Sequence, residues 1–111
     1  MAFNELYRRQ VALLLKTIPL VADEDCFALK GGTAINLFIR DMPRLSVDID
    51  LTYLPVQSRD HSLKAINAAM TRISDRIIKT IPGAKVTTTT AEGAIVRLLV
   101  RTDGAQIKIE V

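Results

Sequence analysis

Arg44-Leu45-Ser46-Val47-Asp48-Ile49-Asp50-Leu51 alternates polar and apolar side chains. A period of two predicts a half-buried strand, with Ser46, Asp48 and Asp50 on one face and Val47, Ile49 and Leu51 on the other. Two carboxylates held side by side repel each other and add nothing to the core. A divalent cation between them removes that conflict, because hard cations take carboxylate and phosphate oxygens as ligands. This strand specifies both a core face and a charged face, and the rest of the chain is read around it.

Upstream, the acidic loop Asp23-Glu24-Asp25 leads into a short apolar strand, Cys26 to Lys30, which Gly31-Gly32 interrupts. Thr33 to Ile39 is expected to form a short helix, with Ala34, Ile35, Leu37 and Phe38 available for packing. At the start of such a helix, the backbone N–H groups of Gly31 and Gly32 and the Thr33 hydroxyl can face a phosphate. Lys30 adds a cation that serves either phosphate or solvent. Further back, Leu6, Val11, Leu14, Leu15 and Ile18 follow helical spacing, so residues 4–18 read as an amphipathic helix ending near Pro19.

Downstream, Leu63, Ile66, Met70, Ile73, Ile77 and Ile81 recur three or four residues apart and predict a long helix stopped by Pro82-Gly83. Three strands follow, over 85–90, 95–102 and 105–111. Ala91-Glu92-Gly93-Ala94 makes the first turn and Asp103-Gly104 a two-residue hairpin. The order α-β-α-β-α-β-β-β predicts an α/β (α+β) domain, a mixed sheet packed with helices.

The second hairpin fixes a register: Thr102 opposite Ala105, Val100 opposite Ile107, Leu98 opposite Ile109 and Arg97 opposite Glu110. Ile107, Ile109 and Val111 then share the core side with Val96, Leu98 and Val100, while Lys108, Glu110, Arg97 and Arg101 face away. If this hairpin and the Asp48 strand belong to one sheet, Glu110 joins Asp48 and Asp50. Three carboxylates suffice for a two-metal site, with Mg²⁺ or Mn²⁺, that activates a hydroxyl and stabilises departing pyrophosphate. The plainer alternative is an exposed cross-strand ion pair between Arg97 and Glu110. Combined with Gly31-Gly32-Thr33, the pattern points to nucleotidyl transfer.

Composition narrows the field. At 111 residues the chain is one domain with a modest core of aliphatic residues. Lys and Arg outnumber Asp and Glu 15 to 12, for a net charge of +3. Committing three carboxylates to a metal makes the remaining surface more basic, which suits a polyanionic partner such as nucleotide or RNA. Val11–Leu15 is too short to span a bilayer and does not read as a signal peptide, so a cytoplasmic location is expected. The single Cys26 excludes an intramolecular disulfide and reads as a structural thiol in an apolar run; His61 reads as a surface or capping residue. No P-loop, zinc-ligand cluster or Ser-His-Asp set is present.

The Gly-Gly turn, Asp-x-Asp strand and later carboxylate resemble the nucleotidyltransferases of the DNA polymerase β superfamily. More closely, Leu29-Lys30-Gly31-Gly32-Thr33-Ala34 with Arg44-x-Ser46-x-Asp48-Ile49-Asp50-Leu51 resembles the AbiEii/AbiGii-type toxin family, and Ile107-Lys108-Ile109-Glu110-Val111 is similar to that family's Lys-x-Glu strand. The resemblance implies a nucleotidyltransferase-like fold in which Asp48 and Asp50 bind catalytic Mg²⁺ or Mn²⁺. Glu110 is the implied third carboxylate and orients or deprotonates the acceptor hydroxyl. Lys30, Gly31, Gly32 and Thr33 hold the triphosphate, and Arg44 and Ser46 support the acidic strand or contact phosphate. It further implies an NTP substrate, an RNA (such as tRNA) or protein acceptor, and an antitoxin partner. Family members continue into a mostly helical region, so 1–111 is expected to be the N-terminal catalytic part. The competing reading is a non-catalytic interaction domain that retains this fold.

Overall fold

The computed structural model describes residues 2–29, 34–38, 44–102 and 104–111. The chain begins with α1 (Ala2–Ala22), followed by β1 (Phe27–Leu29), β2 (Ala34–Phe38) and β3 (Arg44–Tyr53). Next comes α2 (Arg59–Thr80), then β4 (Lys85–Ala91), β5 (Ala94–Thr102) and β6 (Ala105–Glu110). The sheet runs β1-β3-β6-β5-β4, with β2 also paired to β3. Among the described residues only β3 and β6 are parallel; the other pairings are antiparallel, so the sheet is mixed as expected.

Both helices pack on one face of this sheet. Leu13, Leu14 and Val21 of α1 and Ile66, Met70, Ile73 and Ile77 of α2 form one buried cluster with Ile49, Leu51, Leu98, Val100, Ile107 and Ile109. These sheet residues alternate along their strands, and their neighbours point the other way. The β5–β6 register is the one the Asp103-Gly104 turn predicts, from Thr102 opposite Ala105 to Arg97 opposite Glu110. A β-bulge between Thr89 and Thr90 shifts the β4–β5 pairing and brings Ile95 against the core. Asn67 of α2 accepts a hydrogen bond from the Ile95 N–H (2.9 Å) and fixes that end of β5 to the helix.

Two expectations need correction. Residues 34–38, expected within a short helix, form β2 and pair antiparallel with Asp48 back to Arg44. A short apolar run carries no clear period, so a partner strand that satisfies its backbone groups decides the outcome. α1 also continues past Pro19 to Ala22. Proline removes one backbone donor there, but Val21 is buried and the Asp23 N–H still reaches the Pro19 carbonyl (3.2 Å). Tertiary burial carries the last turn.

Residues beyond the expected core hold the helices in place. Gln10 is 1% exposed and uses its amide as a strand surrogate: its Oε1 accepts from the Gln106 N–H (2.9 Å) and its Nε2 donates to the Gln106 carbonyl. Where α1 ends, Glu24 is 5% exposed and accepts from Arg72 (2.6 Å from Nη2) and from Arg76 of α2. Arg72 and Arg76 stand one helical turn apart and would repel; Glu24 bridges them and offsets that repulsion. Arg76 additionally donates to the Leu20 carbonyl (2.9 Å) at the negative end of α1.

The Arg72 hydrogen bond, helped by Arg76, holds the Glu24 carboxyl below its ordinary value of 4.5 against the opposing effect of burial. A depressed folded-state pKa stabilises the fold above the unfolded value, and that contribution disappears as pH falls through the folded one. Glu24→Gln is therefore expected to cost about 1–3 kcal/mol at pH 7. The gap from wild type should narrow as pH drops below 4.5, read from urea denaturation across a pH series.

Candidate functional site

The acidic strand and the hairpin meet edge to edge. β3 pairs in parallel with β6, aligning Ile49 with Ile109 and Asp50 with Glu110, and Asp48 with Lys108. Ile49, Ile107 and Ile109 are fully buried, so Asp48, Asp50, Lys108 and Glu110 emerge together on the face opposite the helices. Asp50 is exposed there, while Asp48, Lys108 and Glu110 are half-buried. The row continues outward through Arg97 of β5 and Thr89 of β4. Adjacent strands lie roughly 4.8 Å apart, which sets Asp50 and Glu110 side by side.

Glu110 is engaged by the next strand. Arg97 Nη2 donates to its Oε1 at 2.8 Å. That hydrogen bond, assisted by the charges of Arg97 and Lys108, lowers the Glu110 pKa despite partial burial. The Arg97 Nε, by contrast, is buried without a partner, and an unpaired buried donor costs about 1–3 kcal/mol. The cross-strand ion pair weighed from sequence is therefore present, on the same face as the two aspartates. Arg97 is the member of this group that the expected site lacked, although the Asp103-Gly104 register already set it opposite Glu110.

Other expected residues fall as follows. Arg44 and Ser46 lie at the start of β3, opposite Phe38 and Asn36 of β2. Lys30, Gly31, Gly32 and Thr33 lie outside the described residues. Their flanks are informative: Leu29 pairs with Leu51 and Ala34 with Asp48, so the described chain meets β3 on either side of Asp50. Because β2 replaces the expected helix, the idea of a phosphate at that helix's N-terminus loses its helix. His61 is exposed at the start of α2, where its N–H caps onto the Ser58 hydroxyl (3.3 Å). Cys26 is half-buried, and burial pushes its thiol pKa up, as befits an inert thiol.

Chemically, Asp48, Asp50 and Glu110 fit a divalent cation by face and by register, and all are hard oxygen donors. The side chains are not drawn together: among the described residues no three His, Cys, Asp or Glu side chains form an ion's ligand set. The Glu110 carboxylate, for its part, bonds Arg97.

A mixed sheet with helices on one face and an Asp-x-Asp strand beside a glutamate strand on the other is the architecture of a nucleotidyltransferase-like domain. The chain belongs to the AbiEii family, described as the nucleotidyl transferase AbiEii toxin of a type IV toxin–antitoxin system, whose sequence model matches residues 13–111. No curated protein and no solved structure matches the chain. Membership gives it the general role of a nucleotidyltransferase toxin and an antitoxin as the expected kind of partner. Among the described residues, no helix is long and apolar enough to cross a membrane.

The two faces of β6 should answer differently to substitution. Ile109→Ala, which removes a fully buried side chain, is expected to cost about 2–5 kcal/mol. Glu110→Gln, which breaks a half-exposed ion pair, should cost under about 1 kcal/mol. Guanidinium denaturation of the two variants measures both.

Proposed function

We infer that the chain is a metal-dependent nucleotidyltransferase moving a nucleoside monophosphate from an NTP to a hydroxyl on RNA or protein, as the toxin of a toxin–antitoxin pair. One observation carries this reading: the parallel alignment of Asp50 with Glu110, with Asp48 two residues away on the same open face. Asp48, Asp50 and Glu110 would hold Mg²⁺ or Mn²⁺, which supplies Lewis-acid polarisation of the phosphoryl oxygens when bound. Glu110, on the strand beside Asp50, takes the acceptor proton. Lys30, Gly31, Gly32 and Thr33, which lie between β1 and β2 in the sequence, would hold the triphosphate, and Arg44 and Ser46 would support the acidic strand or contact phosphate.

Cations on the same face favour a polyanionic substrate. Lys85 and Arg101 are paired across β4 and β5, and both are exposed, while Lys108 lies directly beside Asp48. Such residues lower the cost of bringing a triphosphate or an RNA backbone toward three carboxylates. A cytoplasmic location, where NTPs and these acceptors are found, belongs to the same reading.

Two measurements test it. Mg²⁺ or Mn²⁺ should raise the melting temperature of the chain by binding the folded state, and Asp48→Asn with Asp50→Asn should abolish the rise; an equal rise in the double variant would place the ions elsewhere. Labelled NTPs incubated with total RNA and with protein should label one acceptor class, with Asp50→Ala reducing transfer at least about 100-fold. Labelling that survives Asp50→Ala would refute the assigned site.

A further inference from the structure

Within the nucleotidyltransferase reading, on which this step rests, the Arg97–Glu110 contact has a specific consequence. Asp50 and Arg97 flank Glu110 on neighbouring strands, one on β3 and the other on β5. The Glu110 carboxylate therefore has two alternative partners in opposite directions along one row. Turned outward, it bonds Arg97 Nη2 at 2.8 Å. Turned inward, it would lie against Asp50, an arrangement that like charge forbids unless a cation is present.

We propose that Arg97 is a positioning residue that competes with the divalent cation for Glu110, parking the third carboxylate away from Asp50 until the ion is bound. The contact is built to exchange. Both side chains are about two-fifths exposed, so the ion pair is weak enough for a divalent charge to replace. The Arg97 Nε is already buried without an acceptor, so the guanidinium is only partly satisfied by Glu110. Once released, it keeps its positive charge beside the site and presents its unused donors to an incoming phosphate. Binding of the ion and recruitment of Arg97 to the nucleotide are thereby linked through a single carboxylate.

Mn²⁺ binding to the full chain, followed by the electron paramagnetic resonance signal of the free ion, tests this without any catalytic readout. Arg97→Met should tighten Mn²⁺ binding about threefold to fivefold, the range a half-exposed ion pair supports. In a Glu110→Gln background the same substitution should change the affinity by less than half of that factor, because the contested carboxylate is gone. In wild type, Mg²⁺ should shift the Arg97 Nε–H resonance over the concentration range in which it binds. Equal tightening in both backgrounds would mean a general field effect and overturn the competition, as would weaker binding in Arg97→Met or an unmoved Arg97 resonance at saturating Mg²⁺. If Asp48→Asn with Asp50→Asn leaves Mn²⁺ affinity intact, the metal site itself is wrong and the proposal falls with it. If that pair abolishes binding while Arg97 and Glu110 show no coupling, only the competition fails.

Discussion

The parallel pairing of β3 with β6 is the contact on which the rest of the molecule depends. Parallel neighbours cannot be joined by a tight turn, and here α2, β4 and β5 lie between them in the chain. Ordering so long a connection carries an entropic cost that backbone hydrogen bonds alone do not offset. The compensation is apolar: Ile49, Ile107 and Ile109 are fully buried beneath α1 and α2. Because side chains alternate, burying those isoleucines drives Asp48, Asp50, Lys108 and Glu110 to the opposite face together. The hydrophobic core thus gathers three carboxylates and a lysine on one face, a grouping that no local force would produce.

The chain handles crowded charge in two contrasting ways. At the end of α1, a carboxylate with almost no solvent access bridges Arg72 and Arg76, and the Arg76 bond to the Leu20 carbonyl ties the same group to backbone. Water is kept from that carboxylate, although the Arg72 side chain is itself more than half exposed, and the contact is structural. On the open face of the sheet, Arg97 and Glu110 are both substantially exposed, and their contact is one that a stronger ligand can replace. Burial of the carboxylate, 5% exposed at Glu24 against 37% at Glu110, separates the scaffold contact from the one beside the acidic strand.

Membership of the AbiEii toxin family gives the open face its meaning. Among the described residues this face carries no helix, with carboxylates in the centre and Lys85, Arg97 and Arg101 on the outer strands, a charge pattern that suits the approach of a polyanion. The edge strands serve that arrangement in different ways. β1 and β2 deliver the flanks of the Gly-Gly-Thr segment to the acidic strand. β4, with exposed threonines, only closes the far side of the sheet.

Much of this was legible in the sequence because it is local or periodic. The alternation of residues 44–51 decided which side of β3 faces the core. The isoleucine spacing of residues 63–81 fixed α2, and Asp103-Gly104 dictated the β5–β6 register residue by residue. What the sequence could not decide were choices made by distant partners. Residues 34–38 became a strand because β3 offers their backbone hydrogen bonds, and α1 ran past Pro19 because Val21 is buried. Gln10 and Glu24 took structural roles across long sequence separations. The sequence by itself determined the faces of the strands and the identity of the carboxylates, through side-chain period and turn chemistry. Only the tertiary structure decided that Asp50 stands beside Glu110 and that Glu110 turns to Arg97, because both depend on which strands the core brings together and on the local balance of charge.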